Sequence, residues 1–298
     1  MNNKAFKGTG VAIVTPFKSD FKVDETALTK LVNHLIDGKV DYLVILGTTG
    51  ESVTLTKEEK VQVTRCVISA TKGRIPLVLG IGGNNTAEIT HQLKNTDVTG
   101  IDAILSVSPS YNKPNQEGIY QHFKAVAEAS PLPIILYNVP GRTGSNMTSE
   151  TTLRLANDFK KFIGIKEASG NIEQCMRIAK NKPNDFLLIS GDDNLTVPMM
   201  AIGAKGVISV VANAFPFETS EAVRFALKQD FEKASACYFQ LMEITDLLFA
   251  DGSPGGVKAV LKKLNICEDT VRLPLMNINK TVEEKLLALI QKMQLAAV

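Results

Sequence analysis

Eight short apolar runs, each followed by an amphipathic segment, occupy the first 225 residues of this chain. No other feature restricts its fold as tightly. The runs cover residues 10–17, 42–46, 76–81, 103–108, 134–139, 162–168, 186–190 and 206–211. Near-continuous apolar runs of this length suit strands buried on both faces, as in a parallel sheet covered by helices. The intervening segments carry helical spacing. After Asp24, residues Leu28, Leu31, Val32, Leu35 and Ile36 recur at i, i+3, i+4, i+7 and i+8, and Gly38 supplies a stop. Thr56 to Glu59 opens the next helix as a capping box, and Gly73 closes it. Eight strand-then-helix units in roughly 220 residues is the count of a closed (β/α)8 barrel, whereas an open doubly wound sheet has fewer strands and a phosphate-binding glycine signature. The sequence therefore predicts an α/β fold, a (β/α)8 TIM barrel.

Beyond about residue 225 the strand pattern stops and helical patterns take over. Thr281 to Glu284 leads into Leu286, Leu287, Leu289, Ile290 and Met293. The expected organisation is a barrel domain at 1–225 and a C-terminal helical extension at 226–298, packed on the barrel or on another subunit. A hydrophobic content of 44% is enough for one large core, and a net charge of +2 from 33 basic and 31 acidic residues leaves no footprint for nucleic acid or a membrane surface. A small molecule is the expected partner. Cys66, Cys175, Cys237 and Cys267 are far apart and have no histidine at ligand spacing, so they read as buried thiols of a reducing compartment, with neither a zinc site nor a disulfide framework. The first residues lack the apolar stretch of a signal peptide, and nowhere do eighteen apolar residues run together. A cytoplasmic location is expected.

Lys166 interrupts the sixth run, between Ile165 and Glu167, at a position where a solvated ammonium is almost never found. An unpaired charge there is costly. Desolvation favours the neutral amine, which is a nucleophile toward carbonyl carbon. A core lysine paired with an acid explains the same residue, and the strand alone leaves both readings open.

The active site of such a barrel lies at the C-terminal ends of its strands. Thr48 and Thr49 follow the second strand, Tyr111 the fourth, Tyr137 ends the fifth with Arg142 just beyond, and Gly191, Asp192 and Asp193 follow the seventh. Period-two alternation points Lys166 and Gly164 inward, the glycine making room below the amine, and sends Ile163 and Ile165 outward; it turns Ile135 and Tyr137 inward. An amine attacking a ketone needs proton transfers, for which Tyr137, Thr48 and Tyr111 are candidates. The hydroxyls and N–H groups of the loop from Gly47 to Gly50 suit a small carboxylate, and Arg142 offers a planar fork for a second one. Each residue also has a plainer role: Thr48 and Thr49 as turn formers, Tyr111 as loop packing, Arg142 as a partner for Glu51. Their shared face favours chemistry. Asp192 and Asp193 suit helix capping before Leu195 better than a metal, and the segment from Gly80 to Gly83 lacks the third glycine of a nucleotide loop. His34, His91 and His122 are scattered on helical stretches and are assigned no chemistry.

Five segments in this order, Gly47-Thr-Thr-Gly-Glu-Ser52, Tyr137-Asn-Val-Pro-Gly-Arg-Thr-Gly144, Gly164-Ile-Lys-Glu-Ala-Ser169, Ser190-Gly-Asp-Asp193 and Gly206-Val-Ile-Ser209, resemble the dihydrodipicolinate synthase family of the N-acetylneuraminate lyase superfamily, pyruvate-dependent class I aldolases. The resemblance covers essentially the whole chain. It implies condensation of pyruvate with L-aspartate 4-semialdehyde to 4-hydroxy-tetrahydrodipicolinate, the first committed step of lysine and diaminopimelate biosynthesis. On that pattern Lys166 forms the Schiff base and Tyr137 moves protons, while Thr48 and Tyr111 complete the relay, Tyr111 from a neighbouring subunit. Thr49 and the backbone at Ile208 hold pyruvate, Gly191 lines the pocket, and Arg142 orients the carboxylate of the second substrate. The resemblance implies no cofactor beyond the covalent imine on Lys166, and a homotetramer.

Related aldolases of the superfamily, such as N-acetylneuraminate lyase or keto-deoxy sugar-acid aldolases, share Lys166 and Tyr137 but take other aldehydes. Arg142 followed by Thr143 and Gly144 favours the synthase. A barrel that binds a keto acid without turnover is disfavoured because every relay position is filled. Family members inhibited by lysine carry histidines in the helix after the Gly-Thr-Thr-Gly loop and an aromatic before the relay tyrosine, where this chain has Lys57, Lys60 and Ser110. Ser52, Asn84 and Glu88 match the pattern. Two cationic side chains repel an ammonium ligand, so weak or absent feedback by lysine is expected.

Overall fold

The computed structural model describes residues 3–296, with side chains to residue 292, so the apolar contact expected of Met293 lies outside the described residues. Eight parallel strands close into a barrel in chain order: β1 (Gly8–Ala12), β2 (Tyr42–Ile45), β3 (Leu77–Gly80), β4 (Ala103–Val107), β5 (Ile134–Asn138), β6 (Phe162–Glu167), β7 (Leu187–Ser190) and β8 (Gly206–Ser209). Strand β1 pairs with both β2 and β8. The helices between them are α1 (Glu25–Asp37), α2 (Lys57–Thr71), α3 (Thr86–Asn95), α4 (Gln116–Ala129), the single turn α5 (Pro140–Thr143), α6 (Ser149–Asp158), α7 (Ile172–Asn181) and α8 (Thr196–Ala201). The last barrel helix, α9 (Pro216–Leu227), is followed by α10 (Phe231–Phe249), α11 (Gly255–Lys263) and α12 (Lys280–Ala296).

Local sequence explains the helix starts. Asp24 accepts from the Ala27 N–H at 3.0 Å and opens α1, which buries Leu28, Leu31, Val32 and Leu35 against the sheet. Thr56 and Glu59 form the expected reciprocal capping box of α2. Strand β1 ends earlier than its apolar run. Residues 13–17 continue as a buried loop, because Pro16 has no N–H for a ladder and Asn213 takes over the neighbouring backbone groups. Its amide donates to Ala12 O at 2.9 Å and its carbonyl accepts from the Val14 N–H at 3.1 Å.

Alternation along the strands separates two apolar layers. Ile45, Leu79, Ile104, Leu136, Ile165 and Leu188 face the helices, whereas Val44, Val78, Leu105, Ile135, Tyr137 and Ile189 fill the barrel. Ile163 departs from the expected outward orientation and lies in the barrel interior. The cause is a register shift: Ile134 pairs with Phe162 but Ile135 pairs with Gly164, so the bulge reverses the parity of β6 below Gly164. The extension shares the helix-facing core through Leu241, Ile244, Leu248, Val257, Leu261, Leu286 and Ile290. Each such side chain contributes about 2 kcal/mol of burial, enough to hold the extension on the barrel. No helix among the described residues is long and apolar enough to cross a membrane.

Candidate active site

The upper ends of β5 and β6 set two side chains side by side. Tyr137 and Lys166 are register partners, both point inward, and the Lys166 Nζ lies 4.4 Å from the centre of the Tyr137 ring. Lys166 is 5% exposed, and no ion pair among the described residues includes it. A core lysine ion-paired with an adjacent acid is therefore not what the geometry shows, although the buried Asp193 carboxyl lies within electrostatic reach of the amine. Gly164 does not make room for the amine as expected. A Cβ there would lie 2.7 Å from Leu187 O, so this glycine admits β7. The residue that frees the amine is Gly191, where a Cβ would lie 3.0 Å from both Cγ and Cε of Lys166.

One residue further along each strand the side chains face the helices. Glu167 is fully buried and accepts from Asn138 Nδ2 at 3.1 Å, Gln174 Nε2 at 2.9 Å and the Ser169 N–H at 2.7 Å. The Asn138 Oδ1 in turn accepts from the Met147 N–H at 3.0 Å. This network clamps the two strand ends whose inward neighbours are Tyr137 and Lys166.

Above the amine lies a cavity of about 430 Å³. It brings together Thr48, Thr49, Tyr137, Arg142, Lys166 and Gly191 from the ends of β2, β5, β6 and β7, as the barrel geometry requires. Thr49 is buried and Thr48 is exposed on the 3-10 turn Thr48–Gly50, closed by Glu51 in the left-handed region. Arg142 sits on α5, exposed at the rim and outside every ion pair of the described residues. Glu51 is thus not its partner; that carboxylate belongs to Lys258, far along the chain.

Two expected residues fall outside the cavity. Tyr111 is 90% exposed and does not line it, and its backbone is held at φ +67° by an N–H bond to Thr143 O of 3.0 Å. Ile208 is buried in the barrel interior below. The capping expected of Asp192 and Asp193 is not made: Leu195 occupies the N-cap position of α8, which has no side-chain cap bond. Asp192 Oδ1 accepts from the Leu195 N–H at 3.3 Å, while Asp193 accepts from Ser209 Oγ at 2.5 Å and the Val210 N–H at 3.0 Å, tying β7 to β8. Burial pushes the Asp193 carboxyl above the usual carboxylate range, opposed by those hydrogen bonds and the charge of Lys166.

Sequence reasoning missed one wall. Thr245, Asp246 and Phe249 of α10 complete the rim, with the Asn194 amide donating to Asp246 at 2.7 Å and the Tyr238 hydroxyl donating to Asn194 at 2.8 Å. Lys60 lines a separate cavity of about 200 Å³ with Ser52, Thr48 and Tyr137, whereas Lys57 lies in an open cleft with Glu58 and Arg65. Ser110 is bonded through its N–H to Asn84 Oδ1 at 2.7 Å.

The pattern of the dihydrodipicolinate synthetase family matches residues 5–293. A 4-hydroxy-tetrahydrodipicolinate synthase of Flavobacterium psychrophilum is 56% identical over 283 residues, covering 95% of this chain and 97% of the relative. The crystal structure of dihydrodipicolinate synthase from Aquifex aeolicus superposes with a TM-score of 0.93 at 40% identity, over 97% of this chain and 98% of that one. A chloride-inhibited dihydrodipicolinate synthase of Acinetobacter baumannii, solved in complex with pyruvate, gives a TM-score of 0.92 at 38% identity, over 96% and 98% of the two chains.

Proposed function

Because the chain belongs to the dihydrodipicolinate synthetase family, we propose that Lys166 carries the reaction as a Schiff-base nucleophile. The enzyme is a lyase that condenses pyruvate with L-aspartate 4-semialdehyde to 4-hydroxy-tetrahydrodipicolinate, in the biosynthesis of diaminopimelate and lysine. The observation that carries the residue assignment is the inward, buried amine of Lys166, free of any acid partner among the described residues and facing the Tyr137 ring at 4.4 Å.

Lys166 Nζ attacks the keto carbon of pyruvate, and the carbinolamine loses water to give the imine. Tyr137 supplies a proton to the departing oxygen and afterwards takes one back. Loss of a methyl proton gives the enamine, whose carbon bonds to the aldehyde carbon of the second substrate. The substrate amine then adds to the imine carbon and Lys166 leaves, so no group other than the protein amine is consumed or regenerated. Thr49, its N–H neighbours and the backbone near Ile208 hold the pyruvate carboxylate, Gly191 leaves space for the imine, and Arg142 binds the carboxylate of the aldehyde. Thr48 passes protons toward Tyr137.

Tyr111 serves the site of a second copy of the chain, in keeping with its exposure and its pinned, left-handed backbone. The working assembly is accordingly an oligomer, which we take to be a homotetramer. Four free cysteines agree with a cytoplasmic location. Borohydride reduction in the presence of pyruvate, followed by peptide mass mapping, tests the assignment: an adduct on Lys166 is expected, and its absence from an active preparation refutes the role.

A further inference from the structure

We propose that Lys258, in the C-terminal extension, is a positioning residue for the Thr48–Thr49 loop and acts on it through Glu51. The inference rests on the reading of Lys166 and Thr49 as the pyruvate site. Neither side chain of the pair has any exposure to solvent, and the Lys258 Nζ donates to Glu51 Oε1 at 2.5 Å. Its other contacts are Thr270 O at 2.8 Å and the face of Phe17, whose ring centre lies 4.3 Å away. The second Glu51 oxygen accepts from the Arg272 N–H at 2.9 Å. Both oxygens of this carboxylate are therefore held by the extension, more than two hundred residues downstream.

Glu51 is joined to the site by its own backbone. It stands at φ +51°, a conformation that residues with side chains adopt rarely and keep only when their surroundings enforce it. In that conformation its N–H donates to Thr48 O at 3.1 Å. From the other side Thr15 Oγ1 donates to Gly50 O at 2.7 Å. The loop is thus gripped at one point by the segment after β1 and at another by the extension. The ring of Phe17, two residues beyond Thr15, is met by both the Lys258 amine and the Arg272 guanidinium, each 4.3 Å from its centre. The extension therefore also packs on the segment that carries Thr15.

Stability alone does not explain the pair. Buried ion pairs are commonly replaced by apolar residues of similar volume without loss. A charge pair is directional, however, and holding one oxygen of Glu51 on Lys258 sets the twist of the turn that presents Thr48 and Thr49. The turn at Arg142 is formed separately on α5, so positional error in the first loop should reach pyruvate and spare the second substrate.

The test uses the full-length Lys258→Met variant, which keeps the length of the side chain and removes its charge. Half-saturating pyruvate is measured by borohydride trapping on Lys166, and the KM for aspartate semialdehyde in a coupled assay, at a temperature where circular dichroism shows native fold. Pyruvate half-saturation is expected to rise about tenfold, with the aldehyde KM within about twofold of native. If the single variant does not fold because Glu51 is left as a lone buried charge, Glu51→Gln/Lys258→Met removes that charge, and the same pyruvate-selective shift is expected. Lys262→Ala, which breaks surface pairs with Glu268 and Asp269 on the same helix, should behave as native. A folded variant with unchanged pyruvate half-saturation, or with equal loss for both substrates, overturns the proposal. Failure of the native enzyme itself to trap pyruvate on Lys166 would instead remove the underlying reading, and the proposal with it.

Discussion

The side chain most sensitive to crowding in this site is the amine of Lys166, and Gly191 is the residue that leaves it free. A Cβ built on Gly191 would meet Ala168 Cβ at 2.7 Å and the Cγ and Cε of Lys166 at 3.0 Å, while ordinary contact begins at 3.4 Å. Gly191→Ala must therefore displace the lysine stem by about 0.4 Å or more, and must also clear Ala168 Cβ at 2.7 Å. Over-packing of this kind costs about 1–3 kcal/mol of stability. Misplacement of a reacting group by about 1 Å costs about a hundredfold in rate, so a shift of less than half that size should cost about tenfold. Stopped borohydride trapping at fixed pyruvate measures imine formation, and urea unfolding measures stability. We expect imine formation to slow about tenfold while the variant remains folded at 25 °C. An alanine variant that loses stability but forms the imine within about twofold of the native rate would refute the argument that Gly191 sets the place of the amine.

Tyr111→Phe should assemble as the native protein does and lose about a hundredfold or more in kcat, the range of one proton-transfer group; full activity in an assembled variant would count against its role in a neighbouring site. Millimolar lysine should inhibit weakly or not at all, because Lys60 places an ammonium in the cavity shared with Ser52; strong inhibition in a steady-state titration would contradict this. His122 is buried against Phe123 with its Nδ1 2.8 Å from Thr86 Oγ1, and burial lowers its pKa below the usual 6.5. The unfolded chain then binds a proton that the native chain resists, so this histidine's contribution is present above pH 6.5 and is lost as pH falls, by at most about 1.4 kcal/mol per pH unit. His122→Gln should flatten the decline in urea midpoint from pH 7 to pH 5, and an unchanged slope would show that the titration lies elsewhere.

The barrel was legible because its strands are buried on both faces and so appear as uninterrupted apolar runs. The same property blurred their limits. Residues 13–17 are as apolar as a strand, since Asn213 lets them be buried without a ladder. The parity error at Ile163 has a different origin: a bulge is a property of two paired strands, and nothing within residues 162–168 marks it. The shared face of Thr48, Tyr137, Arg142 and Lys166 followed from topology alone. By contrast, Thr245, Asp246 and Phe249 sit in an ordinary amphipathic pattern whose docking on the barrel mouth no local signal announces. Lys258 was hidden for the same reason, because a lysine in a helix is usually a solvated one.

The most informative coincidence lies in the phase of β5 and β6. A period of two places Tyr137 and Lys166 inside the barrel and Asn138 and Glu167, one step later, outside it. The inner pair faces the cavity without such clamps: Lys166 has no ion-pair partner among the described residues. The outer pair is saturated, with Glu167 accepting from Asn138, Gln174 and the Ser169 N–H. A slip of one residue between the strands would exchange the two sets, burying the amine among helices and turning the carboxylate into the cavity. The outer network therefore holds the reactive pair in register without touching it. That division leaves Lys166 free to change its bonding partners during a catalytic cycle, while the backbone that carries it stays fixed.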